Sequence, residues 1–220
     1  MKAVVLISGG LDSFVSAAVA GKENREVYAL TVDYGQRHSR EIESAKKIAD
    51  FLDTKEHRII SLDLSWLPSA LTKTSIAVPR DEPDGSIPGT YVPARNTVLI
   101  SLALAYAESV DAGAIFLGVN SLDYSGYPDC RPEYIAVFQN LINLATKKTV
   151  EGRAIILKTP LIHLRKYEII LLGKRLGLDF SFSWSCYDGG EKACGGCASC
   201  RIRLKGFEEA GIIDPIPYSE

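Results

Sequence analysis

Short apolar runs rich in β-branched residues recur at positions 2–7, 27–32, 58–61, 114–119 and 155–158. Between them, apolar residues return at helical spacing over 13–20, 40–51, 95–108, 132–147 and 166–176, the last followed by Gly177 where a helix end favours glycine. Apolar runs without polar alternation suit strands buried on both faces. Their alternation with helices predicts an α/β fold, a mostly parallel, doubly wound, Rossmann-like sheet. Ligands of such sheets bind outside the carboxyl ends of the strands. Composition shifts near Ser181, which predicts an α/β domain over 1–180 and a small C-terminal segment over 181–220 packed on it.

The first strand pattern runs into Ser8-Gly9-Gly10-Leu11-Asp12-Ser13 and then an alanine-rich helix. Two glycines let backbone N–H groups approach an anion, and the start of a helix favours negative charge, so a phosphate or pyrophosphate fits there. The string lacks the lysine of a Walker A loop and is no GxGxxG fingerprint. It resembles the SGGxDS pyrophosphate loop of the N-type ATP pyrophosphatases, which transfer the adenylyl group of ATP to a substrate oxygen. The second strand ends in polar residues from Asp33 to His38, where the base or ribose of a nucleotide held by the first loop would lie. Between Ser75 and Ala94 a run with Pro79, Pro83, Pro88 and Pro93 exceeds an ordinary connection; such segments are functional lids or disordered.

A 220-residue chain can bury a full core, and a net charge of −2 argues against a non-specific hold on nucleic acid and for a small-molecule substrate. No apolar run approaches the roughly 20 residues that cross a bilayer. The N-terminal apolar stretch is too short for a signal peptide, so the expectation is a cytoplasmic protein with no membrane partner. In that compartment cysteines are thiols or metal ligands. Cys186, Cys194, Cys197 and Cys200, spaced C-x7-C-x2-C-x2-C around Gly195 and Gly196, suit tetrahedral zinc. An iron–sulfur cluster competes, although the x3-C-P step of the ferredoxin run is absent. Four cysteines leave no position for a catalytic water, so the metal is expected to be structural. Arg201, Arg203 and Lys205 hint weakly at a nucleic-acid-binding ribbon, and are read instead as the solvated face of a helix.

Two polar stretches fall on the ligand side of the predicted sheet: GTYVPARN from Gly89, and GVNSLDYSGYPDCRPE from Gly118. The second mixes acceptors, aromatic faces and turn formers, the chemistry needed to stack a flat heterocycle and accept its N–H groups. Together with SGGLDS, KTPL at Lys158 and the terminal CGGCASC, these motifs resemble the 7-cyano-7-deazaguanine synthase family of queuosine biosynthesis across nearly the whole chain.

The resemblance implies an adenine nucleotide alpha hydrolase-like sheet, ATP and magnesium, one structural zinc on the four cysteines, and ATP-dependent conversion of 7-carboxy-7-deazaguanine and ammonia to the 7-cyano compound with release of AMP and pyrophosphate. It places Ser8, Gly9, Gly10, Leu11, Asp12, Ser13 and Asp33 at ATP, with Asp12 also toward magnesium. Arg95 and Lys158 are expected to neutralise α-phosphate or acyl-adenylate oxygens, and Tyr91, Asn120, Asp123, Tyr124, Tyr127, Asp129 and Arg131 to line the substrate pocket. No general base for ammonia stands out among His38, His57 and His163, although His163 follows the fifth strand. A sulfur-inserting tRNA-modifying ATP pyrophosphatase would share the first loop but need a persulfide cysteine, which makes Cys130 the discriminating residue; here it is expected to pack or to line the pocket. A nucleotide-binding regulator with a zinc ribbon would make no AMP. A homodimer is the base-rate assembly.

Overall fold

The structure, a computed structural model, describes residues 1–23, 26–80, 87–122 and 126–219. Its centre is a five-stranded, all-parallel sheet in the order β3-β2-β1-β4-β5, built from β1 (Lys2–Leu6), β2 (Glu26–Asp33), β3 (Glu56–Ser61), β4 (Ala114–Phe116) and β5 (Ile156–Lys158). The chain winds outward from β1 through β2 to β3, then crosses back to add β4 on the other side of β1. The strand order reverses between β1 and β4, where this class of sheet opens a crevice.

Alternate residues of β1 serve opposite faces. Ala3 and Val5 pack with Phe14 of α1 (Leu11–Lys22), Ile48 of α2 (Arg40–Phe51), Ile169 of α6 (Lys166–Arg175) and Phe207 of α7 (Ala198–Glu209). Val4 faces the other way, toward Ile100 of α3 (Arg95–Ser109) and Phe138 of α4 (Pro132–Ala145). β1 is therefore apolar without a break because both of its faces are covered.

The helix expected over 132–147 stops at Ala145. Thr146 turns extended (φ −117, ψ 147) and caps the short α5 (Lys147–Val150), its Oγ1 accepting from Thr149 N–H at 3.2 Å. The helix expected to close at Gly177 ends at Arg175, with Gly177 just beyond it in the left-handed region (φ +76). The fourth strand is shorter than the expected 114–119. Arg203 departs from the solvated face assigned to it. It is 2% exposed, and its Nε and Nη2 donate to the Asp214 carboxylate at 2.7 and 2.9 Å while Nη1 donates to Ser183 Oγ at 2.9 Å. A buried cation needs such partners. Arg201 and Lys205 are exposed, as expected. The proline-rich segment is described only in part, since 81–86 lie outside the described residues.

Gly118, two residues past β4, lies so close to α1 that a Cβ there would come within 2.7 Å of Asp12 C and Ser13 N. We predict that Gly118→Ala destabilises the fold by about 1–3 kcal/mol in chemical denaturation. Gly113→Ala, where no atom lies within 4 Å, should change little; equal effects at both sites would refute the close-approach argument.

Candidate active site

The turn after β1 is held by its own serines. Ser8 N–H and Ser8 Oγ donate to Ser13 Oγ at 3.2 and 3.1 Å, Ser13 Oγ donates to Gly10 C=O at 2.9 Å, and Gly10 N–H donates to Ser8 Oγ at 3.3 Å. Gly9 sits at φ +88, and a Cβ on it would lie 2.1 Å from Glu41 C=O, so two reasons require glycine there. No side chain caps α1, whose first amides carry the positive end of the helix dipole.

Asp12 does not stand free in this turn. Both of its oxygens accept from Lys166 Nζ, at 2.6 and 2.7 Å, and the two side chains are 15% and 8% exposed. Lys166 is the first residue of α6, the wrong end of a helix dipole for a cation, and that misplacement was the sequence signal for a tertiary role. Arg95 shows the same misplacement at the start of α3, after Ala94 in a left-handed conformation (φ +53) that a non-glycine residue adopts at a cost. Its Nη1 donates to Tyr34 Oη at 3.3 Å, while its buried Nε has no hydrogen-bond partner among the described residues. Burial works against the guanidinium charge, but the phenolic oxygens of Tyr34 and Tyr127 outweigh it and hold the group protonated above its ordinary range.

A cavity of about 240 Å³ opens over the turn. Of the residues read from sequence, it takes in Ser8, Gly10, Leu11, Asp12, Ser13, Arg95, Asn120, Tyr127 and Cys130. It adds Tyr34 and Asn96, from stretches expected on the ligand side, and Glu41, Lys166, Trp184, Ser185, Tyr187 and Arg203, which were not anticipated at the site. Burial raises the Glu41 carboxyl to about 7, against the opposing charge of Arg95. An acid in the first turn of a helix is ordinary, so nothing in the sequence singled out Glu41.

Other predicted residues lie elsewhere. Lys158 Nζ meets Glu23 Oε2 at 2.6 Å and does not line the cavity. Asp33 ends β2, its Oδ1 accepting from Gly35 N–H at 3.4 Å. Tyr91, Asp129 and Arg131 line a separate concavity beside α4. There Asp129 is buried and its carboxylate accepts from Asn96 N–H at 3.1 Å, capping α3. Asn120 is a tether as well as a wall: its Nδ2 donates to Leu161 C=O at 3.1 Å and to Leu164 C=O. Asp123 and Tyr124 fall outside the described residues. Cys130 is buried, accepts from Asn96 Nδ2 at 3.3 Å, and has its thiol pushed up to about 12 by burial, the behaviour of a packing residue. His57 bonds Thr31 Oγ1 at 2.8 Å, His163 is exposed, and Nδ1 of His38 is buried without a hydrogen-bond partner.

The sulfurs of Cys186, Cys194, Cys197 and Cys200 all lie within 4.8 Å of one another, the arrangement of a tetrahedral thiolate site. Backbone N–H groups of Asp188 and Cys194 donate to Cys186 Sγ at 3.4 and 3.3 Å, and hydrogen bonds from its neighbours lower that thiol. The cluster adjoins the cavity: Trp184 N–H donates to Gly9 C=O at 2.9 Å, and Arg40 stacks over the Trp184 ring at 4.2 Å.

Comparisons with known proteins identify the family. The family model described as Queuosine biosynthesis protein QueC matches residues 2–211. A 7-cyano-7-deazaguanine synthase of Saccharophagus degradans is 56% identical over 223 residues, spanning 99% of this chain and 98% of the relative. The protein of that name from Trichodesmium erythraeum is 53% identical over 221 residues, spanning 98% of this chain and 100% of the relative. Among solved structures, a predicted subunit of a tRNA methyltransferase from Methanocaldococcus jannaschii superposes with a TM-score of 0.50 at 20% identity, over 79% of this chain and 76% of that one, a likeness of fold alone. Family model and relatives cover nearly the whole length, and the chain belongs to the family described as Queuosine biosynthesis protein QueC.

Proposed function

We propose that this chain converts 7-carboxy-7-deazaguanine and ammonia to 7-cyano-7-deazaguanine at the expense of ATP. The observation that carries the reading is the convergence on one cavity of the amide end of α1, the buried Asp12–Lys166 pair and the buried Arg95 with an unpartnered Nε. The names of the relatives supply the product.

A carboxylate resists attack because its leaving group would be oxide. Transfer of an adenylyl group to its oxygen makes AMP the leaving group, and ammonia displaces it to give an amide. A second adenylation, on the amide oxygen, displaces pyrophosphate; the nitrogen sheds one proton to give the imidate, and departure of AMP with the second proton leaves the nitrile. In this reading the α1 amides with Ser8, Gly9, Gly10, Leu11 and Ser13 hold the β- and γ-phosphates. Asp12 keeps lone pairs beyond those used by Lys166, so magnesium arriving with the nucleotide finds a ligand there. Arg95 meets the α-phosphate or acyl-adenylate oxygens, where charge develops. Lys158 drops out, and the second cation of the cavity is Lys166. Asp33 flanks the nucleoside side, and Asn120 and Tyr127 the substrate side. Sulfur insertion is disfavoured because the Cys130 thiol is buried and held protonated.

The four cysteines fit one structural zinc, which would fix segment 181–220 as a wall of the site: Trp184, Ser185 and Tyr187 of that segment line the cavity. Residues 1–180 then form the catalytic α/β domain. No helix among the described residues is long and apolar enough to cross a membrane. We place the enzyme in the cytoplasm, with no nucleic acid partner, and as a homodimer. The exposed Val137, Leu141 and Leu144 on α4, spaced to share one face, give such a dimer an apolar surface.

Incubation with ATP, magnesium, ammonium and 7-carboxy-7-deazaguanine should yield the nitrile with AMP and pyrophosphate by mass spectrometry, and Lys166→Met should lower the rate about 10²–10³-fold. ADP in place of AMP would overturn adenylyl transfer. One zinc per chain is expected by elemental analysis. Cys197→Ser or a strong chelator should lower the thermal midpoint and expose residues beyond 181 to protease, and full stability without metal would remove the structural zinc. Sedimentation should show a dimer that Leu144→Glu dissociates; a monomeric wild type would exclude the dimer.

A further inference from the structure

We propose that Glu41 is the ammonium-binding residue of the cavity, taking the proton that turns ammonium into the nucleophile. The inference rests on the adenylyl-transfer reading and assigns a group to its second substrate.

Among the described residues lining the cavity, the carboxylates are Asp12 and Glu41. Asp12 has both oxygens on Lys166, whereas among the described residues no hydrogen bond or ion pair engages the carboxyl of Glu41. The remaining charges are cations: Lys166 is held by Asp12 and Arg203 by Asp214, and Arg95 is the one suited to phosphate and carboxylate ligands. An anionic side chain in that setting repels the phosphates and the substrate carboxylate and attracts ammonium. Its position also fits. Gly9 packs directly on the Glu41 backbone, so the first turn of α2 abuts the pyrophosphate loop, and Arg95 lies close enough for its charge to act on the Glu41 carboxyl. A nucleophile held by Glu41 is thus delivered beside the acyl-adenylate that Arg95 meets, the proximity such a step requires.

The step balances as follows. One N–H bond of ammonium breaks, its proton forms the O–H bond of the Glu41 carboxylic acid, and the freed electron pair makes the new C–N bond. The C–O bond to AMP breaks and AMP leaves with its electrons. The cationic nitrogen of the adduct sheds one further proton to water, giving the neutral amide.

The test separates adenylation from amidation. Exchange of labelled pyrophosphate into ATP with 7-carboxy-7-deazaguanine, in the absence of ammonium, reads adenylation alone. Formation of amide and nitrile against ammonium concentration reads the second step. Glu41→Gln should retain exchange close to the wild-type rate while kcat/KM for ammonium falls about 10²-fold. Glu41→Asp should fall between the two, and it carries the test if the glutamine variant does not fold. Hydroxylamine, a nucleophile that is neutral at neutral pH, should form hydroxamate at similar rates in wild type and Glu41→Gln. Unchanged ammonium dependence in the variants overturns the proposal, as does an exchange rate that falls in step with amidation, which would assign Glu41 to the carboxylate substrate or the nucleotide. Absence of exchange in the wild type removes the adenylyl-transfer reading itself, and the proposal with it.

Discussion

Three segments of this protein meet at the turn after β1 with no room for another carbon atom. A Cβ on Gly9 would lie 2.1 Å from Glu41 C=O, and one on Gly118 would lie 2.7 Å from Ser13 N. The first contact seats α2 against the turn; the second brings the end of β4 onto the first turn of α1. Packed interiors do not absorb such volume without moving backbone. The cavity owes its position to this absence of side chains, because only then do the amides of α1, the Glu41 carboxyl and the β4–α4 connection share one space.

Around that joint the charges are arranged in opposed pairs. Lys166 and Asp12 tie α6 to α1 through an ion pair that is almost wholly removed from water, and removal of one partner of such a pair costs about 3–5 kcal/mol because the other is left uncompensated. The pair fixes the orientation of Asp12 more than it adds to stability. Arg95 contrasts with it: phenolic oxygens stabilise its charge, yet one nitrogen is left without a partner. A buried donor left in that state is a group awaiting an acceptor.

The C-terminal segment is part of the site rather than an attachment to it. Trp184 bonds the Gly9 carbonyl, Arg203 bridges Ser183 to Asp214, and Phe207 enters the core beneath α1. The cysteine cluster stands a few residues from the cavity wall, so whatever closes the cluster also positions Trp184 and Tyr187. A metal with no place in the chemistry can then still govern the shape of the pocket.

The strands and most helices were legible because burial on two faces writes an unbroken apolar run, as in β1, and amphipathic helices write a helical period. The glycine turn after β1 and the cluster of four cysteines were legible because each is a local device whose residues lie close together in sequence. The break at Thr146 was missed because the apolar period continues across it and only a local cap interrupts the backbone. Asp129 and Lys158 carry the right chemistry in the right stretches, but Asp129 caps α3 and Lys158 meets Glu23, partners 33 and 135 residues away. Glu41 and Arg203 show the converse: charged residues of ordinary surface character that tertiary packing turns inward. By itself the sequence determined the sheet, the glycine turn after β1 and the clustering of four cysteines, since these follow from short-range pattern and spacing. Which charged side chains face the cavity, and which are already held by a partner, only the tertiary structure decided, because a charge is assigned by what long-range folding places beside it.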